Sequence, residues 1–140
     1  MLFISYQQLV EITLITTLTP DSPDTDSPDM RKIEREMIQA IVDRRGWHKS
    51  NTAVMYSDSR QVSCVYLHNN LIAVVDKDTV QVYDGGWQSN TTKSRLNALI
   101  NGLTDGYTNG VYQDDFVWYV SDKHNKRQEF TQGHTFERIK

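Results

Sequence analysis

A stretch of side chains that suits anion binding lies between residues 85 and 97. Gly85 and Gly86 permit either a positive φ angle or a close approach of the backbone to a ligand. Serine, asparagine and threonine then precede a predicted helix whose first turn carries Lys93 and Arg95. Free backbone N–H groups, hydroxyls and two cations together suit a phosphate or another anion. The candidate binding residues are Trp87, Thr91, Thr92, Lys93, Ser94, Arg95 and Asn97.

The same stretch has a simpler interpretation, in which it is only a well-capped helix start. Cations in the first turn oppose the helix dipole, but the cost is only roughly 0.3 kcal/mol each when they are exposed. Lys93 and Arg95 can therefore point into water without serving a ligand. The stretch is not a Walker A loop, because Thr92 stands where that motif has the glycine before its lysine. A nucleotide hydrolase is not supported.

A second group of cations occupies a predicted hairpin tip at residues 121–127. Lys123, Lys126 and Arg127 suit contacts with phosphate, although a solvated loop is the default interpretation of such a charge run. The tryptophans and tyrosines suit base stacking. Residues of this kind more often fill the space between a sheet and its helices.

The remaining residue types point away from catalysis. The four histidines lack the spacing of metal ligands, and Asp114 and Asp115 would alternate between the two faces of a strand. The sequence contains none of the familiar nucleophile or metalloprotease motifs. We therefore expect no metal, no cofactor and no catalytic residue. The single cysteine, Cys64, cannot form an internal disulfide, which favours an intracellular protein.

Apolar patterns along the chain change period several times. A period of 3.6 predicts helices at 30–44 and 92–103, and a period of two predicts short strands between and after them. The connections between strands are too short for crossovers, so the strands must pair antiparallel. We expect an α+β fold with a single antiparallel sheet and two helices packed on one face. The strands are predicted at 52–56, 61–67, 71–75, 79–83, 111–112, 116–120 and 128–131.

Residues 19–29 have the composition of a linker, because they contain all 3 prolines and no large apolar residue. The predicted organisation is an apolar N-terminal strip at 1–18, the linker at 19–29 and a single α+β domain at 30–140. The strip suits either a helix or a strand appended to the fold. An equally supported alternative takes Met30 as the natural start.

Charge is distributed unevenly along the sequence. Residues 1–30 contain five acidic residues and no basic one, whereas residues 31–140 contain thirteen acidic and fifteen basic residues. The near-neutral domain excludes a DNA mimic and argues against a large phosphate-neutralising surface. No run of about 18 apolar residues exists, so we expect no transmembrane helix and no membrane partner. The first residues also lack the basic region of a signal peptide.

Five separated stretches carry short motifs. They are Asn51-Thr52, Leu67-His68-Asn69-Asn70-Leu71-Ile72-Ala73, Gly86-Trp87, Thr91-Thr92-Lys93-Ser94-Arg95-Leu96-Asn97-Ala98 and Gln113-x-Asp115-Phe116-x-Trp118. This set resembles a group of small phage proteins of unassigned function, which pair a Leu-His-Gly-Asn-x-Ile-Ala turn with a Thr-Thr-[Lys/Arg]-Ser-Arg-Leu-Asn block. Asn69 stands where that group usually has glycine, and asparagine also tolerates a left-handed turn. The resemblance covers residues 31–120 and implies a phage context without an activity.

These observations favour a non-enzymatic, phage-type binding protein that acts on a host or phage macromolecule in the host cytoplasm. Its expected partner is a host or phage protein. The alternative is a nucleic-acid or nucleotide-binding module that contacts phosphate through the helix start at 91–97. An enzyme with an unfamiliar site is a third alternative. The sequence leaves the target and the oligomeric state open.

If Lys93 and Arg95 serve a ligand, replacing both with glutamate should stabilise the isolated fold by about 0.3–1 kcal/mol per residue, because acids suit a helix start. The same change should abolish binding, because it reverses two charges at the site. Chemical denaturation of the double variant measures the first effect. A marked loss of stability would mean that the two side chains make structural contacts.

Overall fold

The computed structural model describes residues 31–124 and 126–139, and one compact unit spans Ile33–Lys140. The predicted strip at 1–18, the linker at 19–29 and the alternative start at Met30 lie outside the described residues. The division of the chain at residue 30 therefore stays a prediction. Within the described residues the chain forms two helices and nine strands.

Both helices form where the apolar period predicted them, with slightly different ends. They are α1 (Lys32–Val42) and α2 (Asn90–Leu103). In α1, Met37 and Ile41 are buried and Ile33 is half-buried. In α2, the buried apolar residues include Leu96, Leu99, Ile100 and Leu103. These spacings of three and four residues place the side chains on one face of each helix.

The strands, in chain order, are β1 (Trp47–Lys49), β2 (Thr52–Ser57), β3 (Val62–Leu67), β4 (Asn70–Val75), β5 (Thr79–Val82), β6 (Gly110–Asp114), β7 (Val117–Ser121), β8 (Gln128–Glu129) and β9 (His134–Glu137). A six-stranded sheet has the order β1-β2-β3-β4-β5-β9, and every neighbouring pair in it is antiparallel. The four strands predicted at 52–56, 61–67, 71–75 and 79–83 therefore form an antiparallel meander. The two-residue turn between β3 and β4 holds His68 and Asn69 at φ angles of 51° and 66°.

The expectation of a single sheet is wrong, although the α+β class and the antiparallel pairing are confirmed. Strands β6, β7 and β8 form a separate three-stranded sheet. The outer edge of β5 pairs instead with β9, where Phe136 lies opposite Val80. The segment His134–Glu137 was not predicted as a strand, because Phe136 is its only large apolar residue. The short edge strand β1 was also missed.

The core lies between the six-stranded sheet and the helices. Val54, Val65, Ala73 and Val82 lie opposite one another across four strands and are fully or almost fully buried. Helix α2 contacts β4 and β5 on this side. Alternating side chains point to opposite faces of a strand, so one face of the sheet supplies the core.

The two helices also contact each other. A Cβ atom at Gly102 of α2 would lie 2.7 Å from Cδ1 of Ile38 in α1. A larger residue here would therefore require the end of the Ile38 side chain to shift. Glycine normally weakens a helix interior by roughly 1 kcal/mol, and here it leaves room for the Ile38 side chain of α1.

The pairing of β5 with β9 can be tested by removing one side chain. We expect Phe136→Ala to lower the free energy of unfolding by about 3–5 kcal/mol, because it empties a buried position opposite Val80. Thr135→Ala, on the exposed side of the same strand, is the matched control and should change it by less than about 0.5 kcal/mol. Urea denaturation measures both. If Phe136→Ala lowered the free energy of unfolding as little as Thr135→Ala, the placement of β9 would be contradicted.

Candidate functional site

The hydroxyl groups of Ser89 and Thr92 at the start of α2 form hydrogen bonds that cap the helix. Ser89 is the N-cap, and its Oγ accepts a hydrogen bond of 3.1 Å from the backbone N–H of Thr92. Thr92 is buried, and its Oγ1 donates to the backbone carbonyl of Trp87 at 3.3 Å. Thr91 is half-buried. The local sequence thus forms a well-capped helix, as the simpler interpretation predicted.

Arg95 lies inside the protein. Its Nη1 is 2.8 Å from Oε2 of Glu34 in α1, and the two side chains are only 5% and 4% exposed. Its Nε donates to Oγ1 of Thr52 at 3.0 Å, and its Nη2 donates to Oδ1 of Asn51 at 3.4 Å. The Oγ of Ser94 donates to the same Glu34 oxygen at 2.6 Å. This buried network joins α1, α2 and β2.

The next two candidate residues join α2 to the smaller sheet. Lys93 Nζ donates to Oε1 of Gln113 at 2.9 Å and lies 6.0 Å from the ring centre of Trp118. Asn97 Nδ2 donates to the carbonyl of Val111 at 2.8 Å, and its Oδ1 accepts from the N–H of Val111 at 2.9 Å. The Asn97 amide therefore pairs with β6 as a neighbouring strand would.

These contacts reverse the stability expected for glutamate at position 95. Arg95→Glu would place a second carboxylate beside the buried Glu34, so the variant loses an attraction and gains a repulsion. The expected gain from an acid at the helix start is much smaller than this loss. Of the seven candidate residues, Trp87 is the one whose side chain is mainly exposed, at 74%.

Phe116, which was not among the candidate site residues, lies on the β6–β7 hairpin whose Gln113 side chain contacts Lys93. Phe116 is 88% exposed at the tip of the β6–β7 hairpin. The tip consists of Asp115 and Phe116, both with positive φ angles, of 52° and 69°. Such a two-residue turn favours asparagine and glycine, and a bulky residue at positive φ is a conformational outlier. In the sequence, the signal for this turn is a pair of residues between two runs that alternate polar and apolar side chains.

The motif stretches converge at one end of the molecule. Arg95 contacts Asn51 and Thr52, and the backbone N–H of His68 donates to the carbonyl of Asn51 at 2.8 Å. A Cβ at Gly85 would lie 3.3 Å from Cβ of Asn70. The Lys93 contact described above adds the stretch that ends in the β6–β7 hairpin. We call this region the α2-start end.

The secondary basic tip is mostly neutralised by its neighbours. Lys123 Nζ lies 2.7 Å from Oε1 of Glu137, and this hydrogen bond raises the pKa of the Lys123 ammonium. Arg127 Nη1 lies 3.0 Å from Oδ2 of Asp114, while its guanidinium carbon is 3.9 Å from the ring centre of Tyr119. Lys126 is exposed. Two of these three cations therefore have carboxylate partners within the chain.

A histidine and a carboxylate connect the two sheets. His134 Nε2 in β9 lies 3.2 Å from Oδ2 of Asp122, just after β7, and both side chains are mostly buried.

Across the described residues, no group of three or more His, Cys, Asp or Glu side chains could hold a metal ion. In the same part of the chain, no helix is long and apolar enough to cross a membrane.

The architecture is that of a small α+β protein with two antiparallel sheets, and its motif residues meet at the α2-start end. The chain belongs to the Kyanoviridae Gp96 protein family, a phage protein family whose model matches residues 30–137. This confirms the resemblance to small phage proteins. Comparison with curated proteins gave no match, and neither did comparison with solved structures.

The Glu34–Arg95 pair provides a test of the buried network. We expect Arg95→Met to lower the free energy of unfolding by about 3–5 kcal/mol, because it leaves the Glu34 charge buried without its partner. The double variant Glu34→Leu/Arg95→Met should recover most of this loss, because it removes both charges. Urea denaturation of the full cycle measures the coupling.

Lys49→Met is the control for this cycle, because Lys49 forms an exposed pair with Glu36 at 3.3 Å. Its loss should cost less than about 1 kcal/mol. Additive losses at positions 34 and 95 would contradict an energetically coupled pair.

Proposed function

We propose that this protein is a non-enzymatic binding protein that attaches to a host or phage protein in the cytoplasm of the infected cell. The contact surface is the α2-start end, and its anchors are the aromatic side chains of Trp87 and Phe116. The observation that carries the proposal is the exposure of these two side chains, at 74% and 88%, on short and well-fixed turns.

Large aromatic side chains contribute strongly to protein–protein binding when a partner buries them. Trp and Tyr are enriched among binding hot spots, and aromatic residues are generally enriched at interfaces. Phe116 is also held at a φ of 69°, where asparagine or glycine would be less strained. A strained, solvent-exposed phenylalanine gives the free protein no packing energy, so a bound partner is the reason we infer for its position.

Both anchors are attached to rigid structure. The carbonyl of Trp87 accepts the hydrogen bond from Thr92, which is itself part of the α2 cap. Phe116 follows β6, whose Gln113 side chain is bonded to Lys93 of α2. Little backbone entropy is lost when a partner binds residues on segments that are held in this way.

The nucleic-acid alternative is weaker because Arg95 is neutralised inside the protein, which leaves Lys93 as the cation of the predicted phosphate site. Arg95 gives its donors to Glu34, Thr52 and Asn51 within the protein. Lys93 is bonded to Gln113. Phosphate recognition depends on cations that can replace the counterions of the backbone. The α2-start end therefore suits an apolar and aromatic contact better than a polyanion.

The proposal predicts that Trp87→Ala/Phe116→Asn weakens partner binding about 30-fold or more, which corresponds to roughly 2 kcal/mol of hot-spot energy. Asparagine at position 116 removes the ring and suits the positive φ, so the fold should keep its stability. The control is Tyr107→Ala, which removes a fully exposed aromatic beyond the other end of α2.

Tagged wild-type and variant proteins are used to capture partners from infected host cells, with and without nuclease. Each captured protein is then purified, and its affinity is measured by calorimetry at two salt concentrations. A partner that binds the wild type and Tyr107→Ala equally, but not the double variant, supports the proposal. Loss of every partner after nuclease treatment would favour nucleic acid instead. Equal binding by the double variant would rule out this surface.

A further inference from the structure

A polar cleft lies at the opposite end of β2, β3 and β4 from the α2-start end. It is shallow and open to solvent. Its walls are the C-terminal end of α1, the ends of the central strands and the chain after β9. The polar residues that matter for its chemistry are Arg44, Tyr56, Ser63, Asp76, Lys77 and Arg138.

Positive charge predominates in this cleft. Arg44, Lys77 and Arg138 line it together with a single acid, Asp76. The Oδ1 atom of Asp76 is committed to its own turn, where it accepts from the backbone N–H groups of Asp78 and Thr79 at 2.8 and 2.6 Å. Among the described lining residues, cations therefore outnumber carboxylates by two.

Two of these cations repel each other. Burial lowers the pKa of the Arg138 guanidinium and the nearby positive charge of Arg44 lowers it further, while the Asp76 carboxylate raises it. The Nη1 atom of Arg138 is held at 2.9 Å from the carbonyl of Asp76, so this side chain has a fixed position at the cleft. Like charges that are held close together favour an anion between them.

A buried hydroxyl lines the same cleft. Ser63 is only 2% exposed, and its backbone lies in the sheet between Tyr56 and Val75. Among the residues that the structure describes, none forms a hydrogen bond with Ser63 Oγ. A buried polar group without a partner is costly and therefore rare in native proteins. Because Ser63 is among the lining residues, a ligand in the cleft could supply that partner.

The backbone around the cleft is strained at two positions. Arg44 follows α1 with a φ of 57°, at a helix end where glycine is usual. Gln61, which also lines the cleft, has a φ of 56°. Neither residue type is favoured in the left-handed region, and strain of this kind is often retained where a side chain has a functional position.

We propose that this cleft binds a phosphate group, supplied by inorganic phosphate or by a phosphomonoester. A phosphomonoester carries a charge of about −1.5 to −2 at pH 7, which matches the excess of positive charge in the cleft. Guanidinium groups donate paired hydrogen bonds to such an oxyanion, and the Ser63 hydroxyl donates another. This site is separate from the aromatic surface at the α2-start end and does not depend on the function proposed for it.

Calorimetric titration of the full chain with inorganic phosphate, against sodium chloride of equal ionic strength, tests the proposal. We expect saturable binding by the wild type, at least about tenfold weaker binding by Arg44→Gly, and weaker binding by Ser63→Ala, because each removes a hydrogen-bond donor to the charged ligand. Without phosphate, Arg44→Gly and Ser63→Ala should both melt at or above the wild-type temperature. Arg44→Gly relieves a strained φ angle, and Ser63→Ala removes a buried hydroxyl that has no partner among the described residues.

Two further variants serve as controls. Ser50→Gly relieves a φ of 56° in the turn before β2, outside the cleft, and should leave phosphate affinity unchanged. Arg45→Gln removes the neighbouring exposed cation and should also leave it unchanged. Separate titrations with inorganic phosphate and with a nucleoside monophosphate distinguish the two sources of the phosphate group, because the affinity should be higher for the natural source. Binding of neither, or equal binding by all four variants, would overturn the proposal.

Discussion

The ion pair between Glu34 and Arg95 is the contact on which the α2-start end depends. Both charges are buried, so each would be expensive to hold without the other. Three further polar groups, from Asn51, Thr52 and Ser94, complete the hydrogen bonds of the pair. Because these five residues come from α1, α2 and the start of β2 with the residue before it, the pair links both helices to the sheet. The exposed turns that carry Trp87 and Phe116 are supported by that arrangement.

Local patterns predict the local elements of this fold well. The apolar period of residues 33–41 and 96–103 is strong enough to locate both helices, and alternation between turn residues locates the central meander. The division into two sheets depends on a different kind of information. It follows from the pairing of Val80 with Phe136, and four residues with one apolar side chain do not specify a partner so far away in the sequence.

The candidate site shows the same limit at the level of side chains. Sequence composition correctly indicated a capped helix start, but it could not indicate the direction of Arg95, because its partner Glu34 lies 61 residues earlier. Phe116 occupies a turn position where asparagine or glycine is typical, so residue preferences do not predict its exposure. Long-range contacts and local strain therefore decide which residues are accessible to a partner. A short sequence motif predicts neither of them.

The pairing of β5 with β9 also determines when the larger sheet is completed during protein synthesis. Strand β5 ends at Val82, whereas β9 begins only at His134, so the ribosome adds both α2 and the whole smaller sheet before the last strand. Until then, the growing chain presents the backbone of β5 as an open edge next to the buried positions Val80 and Val82. Open edges recruit other strands. A chain released early would therefore be prone to associate with its neighbours, and rapid completion of translation protects it.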